Sequence, residues 1–566
     1  MSNPLSASKA SDLRQSHAFT QTVVESALWA AAGDALGWIT ELSHGPAGVK
    51  NRTGSTEVKQ PVAWQRLIAG RNGPKVALPA GTYSDDTQLR LAVSRSIRGN
   101  GVFDVETFAK IELPVWPTYA LGAGLGTKAA ALNLSRRGVN WFSNFYVKGA
   151  QSYIQSGGNG AAMRIQPHVW SSKGDDQEML LNVFRDAITT HGHPHGFCGA
   201  IFHALVLKET LQEGSIPGPS SWKEIAQQFL ELPKIIREDS QLVDFWLASW
   251  ERETKNTLEE AMSRFCGEAL HDISRVSEAI NDNPVAAYKS AISSIGCLTD
   301  RFRGSGFKTA LAASVLSYLY RSEPIEEALV LSANVLESDT DTIATMAGAL
   351  LGAIAGRSPI WNIQDSDYII SDATRLANIA IGNPQSSFSY PDIGRWNPPV
   401  NQGASIRVYE DRLAIAGLGA LETYGDEYSF GDHVWQWSTL PFGQTILAKR
   451  KAFINDVVGI DQLPKPSTPS NMPPSRSAPD SQFNVQQPEL NFELGNTQSA
   501  QEKPCEDVFL NDLDAESDII ISSNFDSHTI GKIFKIRIDA TSSIESAMTL
   551  LAIVAKARIA RNKRRK

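Results

Sequence analysis

The chain has 566 residues, 42% of them hydrophobic and 20% charged, with a formal net charge of −8. That length is too great for one ordinary core and points to about three or four domains, while the composition is that of a globular protein able to bury a core without staples. The charge gives no general reason to expect nucleic-acid binding. Four scattered cysteines, Cys198, Cys266, Cys297 and Cys505, have no CxxC spacing and do not read as a disulfide framework or a zinc site, which fits a reducing, cytoplasmic setting.

The polar N-terminus lacks an apolar h-region, so no secretory signal is expected. No window offers the roughly 18 apolar residues of a membrane span. From about residue 20 to 380 the pattern reads as helix after helix, with alanine-rich stretches at 23–39, 89–97, 310–320 and 343–356. In the last of these, Ala344, Gly348, Gly352 and Gly356 recur at every fourth position and predict a face that a second backbone can approach closely. Glycine inside a helix costs about 1 kcal/mol against alanine, so a packing gain is expected in return.

Residues 385–461 are rich in Gly, Pro, Trp and Tyr, which predicts short strands and turns in an accessory region, more an annex on the helical core than a separate binding module. Residues 462–504 form a polar tract expected to be a flexible linker. A small module follows at 505–566. Within it 530–538 alternates like a strand, and 543–561 reads as a helix with a basic end. The last eleven residues carry seven positive side chains and no acid, so any nucleic-acid or other acidic partner is expected only through this tail.

Acids and hydroxyls gather in three separated places. The first is Gly33 to Glu41 (GDALGWITE), where Asp34 and Glu41 are seven residues apart and would share one face of a continuing helix. The second is Ser84-Asp85-Asp86-Thr87 and the third Ser338-Asp339-Thr340-Asp341-Thr342, each just before an apolar helix. Such clusters are usually N-caps. Capping needs one short polar side chain, however, and here aspartates are doubled. Carboxylates gathered in space repel unless a cation neutralises them. An all-oxygen set suits Mg²⁺, Mn²⁺ or Ca²⁺ better than zinc.

Two further stretches have chemical potential. Ser156 to Arg164 (SGGNGAAMR) is a glycine-rich turn whose backbone N–H groups can face an anion, without P-loop or dinucleotide-fold spacing. His191, His193 and His195 alternate in THGHPH. A zinc cluster is one reading; Gly192 and Pro194 favour a polar turn in which a histidine contacts a phosphate or sugar.

Together and in this order, GDALG…E (33–41), YSDDTQ (83–88), SGGNGAAMR (156–164), THGHP (190–194) and SDTDTIATMAGALLGAIAG (338–356) resemble the ADP-ribosylglycohydrolase family over roughly residues 20–380. The resemblance implies an all-helical catalytic domain over 20–384, hence a mainly α protein with a smaller, partly β C-terminal extension. It implies two Mg²⁺ or Mn²⁺ ions held by Ser84, Asp85, Asp86, Asp339, Asp341 and Thr342. Glu41, Asp85 and Asp341 would act in catalysis, with Glu41 also helping to gate the site. Gly158 and Asn159, with the surrounding loop from Ser156 to Gly160, would hold the ADP-ribose phosphates and ribose, and His191 would lie near the distal ribose. Asp34 is expected to support rather than bind. Ser84 stands where many relatives have threonine, and Glu337-Ser338 replaces a frequent Gly-Gly. The expected activity is removal of ADP-ribose from a protein or small-molecule acceptor. A catalytically silent ADP-ribose-binding scaffold and a two-metal phosphohydrolase are the alternatives.

Overall fold

The computed structural model describes residues 4–465 and 513–564, apart from 71, 150, 400, 402, 403, 524, 542 and 543. The chain divides into two compact units, one ending near residue 471 and one after it. The first unit is mainly helical. Its interior is dominated by Pro4–Gly37, Asp85–Ser96, Pro194–Glu213, Gly306–Leu319, Thr340–Gly352 and Ser366–Ala380.

One helix pair brings the first motif to the last. Pro4–Gly37 lies along Thr340–Gly352, and small residues on both sides let the backbones meet. A side chain on Gly33 would overlap the Ala344 carbonyl, and one on Gly37 the Thr340 carbonyl; in the other direction, one on Gly348 would overlap the Trp29 carbonyl. The Thr340 hydroxyl donates to the Gly37 carbonyl at 2.8 Å. The glycine stripe is thus a packing seam, and Gly356, at φ +61°, lies beyond the helix end.

Strands in this unit are short and antiparallel. Trp64–Leu67 pairs with Lys75–Leu78. After residue 385, one sheet joins Ile406–Tyr409, Arg412–Ile415 and Gly419–Ala420, and another joins Glu422–Phe430, His433–Thr439 and Thr445–Lys451. Residues 385–465 share the apolar core of the helices: Trp396, Ile406, Leu418, Trp437, Ile446 and Leu463 belong to one continuous cluster with helical residues such as Trp29 and Leu89. Directional bonds cross the same boundary. Trp396 Nε1 donates to the Lys110 carbonyl at 2.7 Å, Arg95 Nη1 to Gln444 Oε1 at 2.8 Å, and Thr445 N to Asp365 Oδ2 at 2.8 Å. Of the polar tract expected as a linker, Gln462 and Leu463 are buried; residues 466–504 lie outside the described residues.

The second unit holds the helices Leu513–Ser522, Ser527–Thr541 and Ile544–Arg564 around Ile520, Phe525, Ile533, Leu550 and Val554. The strand expected at 530–538 is therefore a helix. Ile533 and Arg537 fall on its buried side, four residues apart, with Arg537 paired to the buried Glu516 at 2.7 Å. Ile536 and Ile538, which completed the apparent alternation, are substantially exposed. Among the described residues no helix is long and apolar enough to cross a membrane. Cys198, Cys266 and Cys297 are buried free thiols, and Cys505 lies outside the described residues.

Candidate active site: an acid-floored cleft

The helix Asp85–Ser96 starts on two caps. The Ser84 hydroxyl accepts from Asp86 N at 3.2 Å, while the fully buried Asp34 carboxylate accepts from Ser84 N and Thr87 N, both at 2.9 Å. Asp34 thus serves the orphan N–H groups of a neighbouring helix. With the capping done by Ser84 and Asp34, the carboxylates of Asp85 and Asp86 are left for another role. Asp339 likewise starts the helix Thr340–Gly352 without using its side chain as a cap.

These helix starts open into one cleft of about 1280 Å³. Glu41, Asp85, Asp86, Ser156, Gly158, Asn159, Gly160, His191, Asp339, Asp341 and Thr342 all line it, whereas Ser84 is wholly buried behind them. Glu41 reaches the cleft from a turn. The first helix ends at Gly37, and Glu41 N closes back on the Gly37 carbonyl at 3.1 Å, so Asp34 and Glu41 do not share a helix face as the spacing predicted. Arg66, stacked over Trp38 and Trp64, lies 3.9 Å from the Glu41 carboxylate.

The floor carries more negative charge than its neighbours offset. Among the described residues Asp85, Asp86, Asp339 and Asp341 have no ion-pair partner. Burial, then the nearby charges of Glu41 and Asp34, pushes Asp85 up to about 8. Burial followed by neighbouring acids likewise raises Asp86 and Asp341 well above the carboxylate range. Asp86 Oδ2 is buried with no hydrogen-bond partner, and the Thr342 hydroxyl is 3.5 Å from Asp86 Oδ1. This surplus of buried, unpartnered oxygen fits a hard divalent cation. The acids stand around the floor rather than enclosing a point: no three His, Cys, Asp or Glu side chains among the described residues form a closed metal cage. A bound ion would need hydroxyl, water or ligand oxygens as well.

The glycine-rich turn forms a second side of the cleft. It is strapped to residues 304–306 by Asn159 N to the Gly304 carbonyl at 2.9 Å and Gly306 N to the Gly157 carbonyl at 3.0 Å. Asn159 Nδ2 donates to Asp339 Oδ2 at 3.0 Å, tying turn to floor. Beneath it, Arg164 is completely buried. It pairs with Asp186 at 2.9 Å and donates to the Gly160 carbonyl at 2.7 Å and to Thr190 Oγ1 at 2.9 Å. The Thr190 hydroxyl stands 2.7 Å from His191 Nδ1. This chain is satisfied when Thr190 donates to Nδ1 and the proton sits on Nε2, the nitrogen beside Gly158 and Gly160. Burial, with Arg164 nearby, pushes His191 down to about 3, so its ring is neutral.

His193 and His195 stack on one another, ring centroids 5.3 Å apart, and both line the cleft with His191. His195 bonds Ser305 Oγ through Nδ1 at 2.7 Å and lies 3.1 Å from Glu268 through Nε2, while His193 starts the helix Pro194–Glu213. Among the described residues the three histidines do not gather into a metal-holding group. Glu337, whose charge departs from the resembled pattern, is exposed and outside the cleft lining.

Sequence reasoning missed the segment 122–126. Ala123 N donates to Asp85 Oδ1 at 2.9 Å, and Gly122, at φ +116°, is so close that a side chain there would displace that oxygen. The alternating glycines Gly122, Gly124 and Gly126 were the available signal. Trp435, Leu447 and Lys449, which also line the cleft, carried no motif.

A model of the ADP-ribosylglycohydrolase family matches residues 16–377, well over half of the chain. The chain belongs to the ADP-ribosylglycohydrolase family. It is a hydrolase of the glycosidase type. The chain is similar to human (Homo sapiens) ADP-ribosylhydrolase ARH3, 30% identical over 288 residues that make up 49% of this chain and 72% of that protein. It is also similar to the ADP-ribosyl-[dinitrogen reductase] glycohydrolase of Rhodospirillum rubrum, 29% identical over 29% of this chain and 49% of that protein. A solved ADP-ribosylglycohydrolase-related protein complex aligns with a TM-score of 0.39 and 18% identity, over 64% of this glycohydrolase chain and 99% of that one.

Proposed function

We propose that the chain hydrolyses the glycosidic bond between ADP-ribose and a protein or small-molecule acceptor, with two Mg²⁺ or Mn²⁺ ions held at the cleft floor. The observation that carries the reading is the buried acid surplus, above all Asp86 Oδ2 without a partner beside Asp85, Asp341 and the Thr342 hydroxyl. Asp85, Asp86, Asp339, Asp341 and Thr342 would hold the ions, and Ser84 would join only if its hydroxyl left the Asp86 N–H. Bound divalent ions supply charge neutralisation, polarisation of the ribose hydroxyls and an acidified water.

The chain's own groups do the rest. The turn Ser156–Gly160 offers backbone donors to the diphosphate, and the neutral His191 offers Nε2–H beside it without adding a charge. Asn159 fixes the direction of Asp339. Glu41, partly exposed at the cleft edge and raised above its ordinary range by burial, accepts the proton from the attacking water. Family membership and the relatives named above, an ADP-ribosylhydrolase and an ADP-ribosyl-[dinitrogen reductase] glycohydrolase, support the choice of ADP-ribose.

The test is incubation of the full chain with arginine-linked and serine-linked ADP-ribose, with and without Mg²⁺ or Mn²⁺, followed by product analysis. Intact ADP-ribose should appear only with the ion present. Asp341→Ala should lower its release by about a hundredfold or more. Ion-independent release, an unimpaired Asp341→Ala protein, or AMP as product would each overturn the assignment, the last in favour of phosphate chemistry.

A further inference from the structure

Part of the cleft wall lies beyond the family match. Matched residues end at 377, yet Trp435, Leu447 and Lys449 line the same cavity as the acids. Two routes tie this wall to the carboxylate floor. Strand Thr445–Lys451 packs on the turn Trp116–Thr118; the chain leaving that turn delivers the Leu121 carbonyl to Asp85 N and Ala123 N to Asp85 Oδ1. The neighbouring strands hold the hairpin of Trp64–Leu67 and Lys75–Leu78. Trp437 Nε1 donates to the Ala77 carbonyl at 3.2 Å, and Ala77 N donates to the Tyr428 hydroxyl at 3.4 Å. That hairpin carries Arg66, 3.9 Å from Glu41. The glycine-rich turn reaches the floor separately, through Asn159 and Asp339.

Resting on the function proposed above, which gives the glycine-rich turn to ADP-ribose, we propose that the wall of Arg66, Leu67, Trp435 and Lys449 binds the acceptor and selects an acidic protein segment around the modified residue. The chemistry of the wall decides the class. Arg66 and Lys449 bring two cations to a chain whose net charge is −8, and both are partly exposed in the cleft. Arg66 faces Glu41 and Lys449 has Asp432 nearby, so the pair offsets part of the floor's field while still offering donors to an incoming acid. The Lys449 ammonium lies 5.3 Å from the Trp435 ring centroid, so a cation already covers one face of the aromatic. A covered ring is a poor stacking platform for a nucleobase, whereas an ammonium held against it is well placed for a carboxylate. Leu67, 45% exposed, supplies apolar surface for the peptide backbone and aliphatic stems.

Lys449 is the discriminating position, because Arg66 also touches Glu41 and its loss would disturb the acids. The experiment measures kcat/KM of the full chain, in saturating Mn²⁺, on three conjugates: an ADP-ribosylated peptide rich in Asp and Glu, the same peptide with those acids replaced by Asn and Gln, and an ADP-ribosylated DNA end. Wild type should prefer the acidic over the neutral peptide. Lys449→Glu should shrink that preference by about tenfold, with Lys449→Gln in between, and both variants should melt close to wild type. An unchanged preference in Lys449→Glu overturns the wall, as does a preference of the wild-type chain for the DNA conjugate. Release of ADP-ribose from none of the three by the wild-type chain overturns the hydrolytic reading and the wall with it.

Discussion

Asp85 shows how a single side chain carries both a cost and a function. Its carboxyl is raised from 3.8 to about 8, first by burial and then by Glu41 and Asp34. A carboxyl whose folded value lies above its unfolded value contributes stability at low pH that is lost as pH rises through the folded value. In EDTA the melting temperature should therefore fall from about pH 4 to about pH 8, by about 5 °C or more. Saturating Mn²⁺ should flatten the profile by neutralising the floor, and Asp85→Asn should make it shallower without metal, leaving the share of Asp86 and Asp341. A metal-free profile that rises over the same window would contradict the charge surplus. Much of this scale was readable in the sequence, because doubled aspartates at helix starts are local patterns and capping accounts for only part of them. Glu41 was not placed correctly, since the chain leaves the helix at Gly37 and no strong breaker marks the stop. The burial of Arg164 and its path to His191 depend on Asp186 and Thr190, which pattern alone does not associate with it.

At the level of elements, the helix Thr340–Gly352 depends on how near another backbone can come. Gly348 faces the Trp29 carbonyl and Gly352 the backbone around Glu25 and Ser26. In an isolated helix Gly348→Ala would gain about 1 kcal/mol. Here the added methyl meets fixed backbone, and overpacking of that kind costs typically about 1–3 kcal/mol. The net change should be destabilising, read as a lower denaturant midpoint at unchanged slope. Because Asp339 and Asp341 ride on this helix start, the same variant should also weaken Mn²⁺ stabilisation. The stripe was legible as a seam because its period is that of a helix, though its partner was not, lying more than three hundred residues away. The segment 530–538 fails for a related reason. Phe534, Ile536 and Ile538 satisfy period two by eye, but burial follows Ile533 and Arg537 at helical spacing, through the contacts with Ile520, Leu550 and Glu516.

Over the whole molecule, a boundary in composition is not a boundary in the core. Residues 385–465 differ from the helices in residue usage, and their short strands were predictable from that. Their attachment was not, because it rests on pairs far apart in sequence: Trp396 with Lys110, Gln444 with Arg95, Thr445 with Asp365, and Tyr390 with Glu112 at 2.5 Å. Arg95 and Glu112 are a buried ion pair at 2.8 Å that Gln444 and Tyr390 help to satisfy. Removing those partners leaves polar groups short of bonds at a newly exposed apolar surface that Trp396, Leu418 and Ile446 formerly covered. A chain cut after residue 384 should therefore be aggregation-prone and lack a cooperative melt, although it retains every motif of the family. A chain cut after residue 465 keeps the core cluster and all of those bonds. It should melt cooperatively, within a few degrees of the full chain, and release ADP-ribose at a similar rate. Side-by-side thermal melts and turnover of the two truncations check this directly. A folded, active 1–384 chain would show that the annex is dispensable to the core and would leave it only its place in the cleft wall.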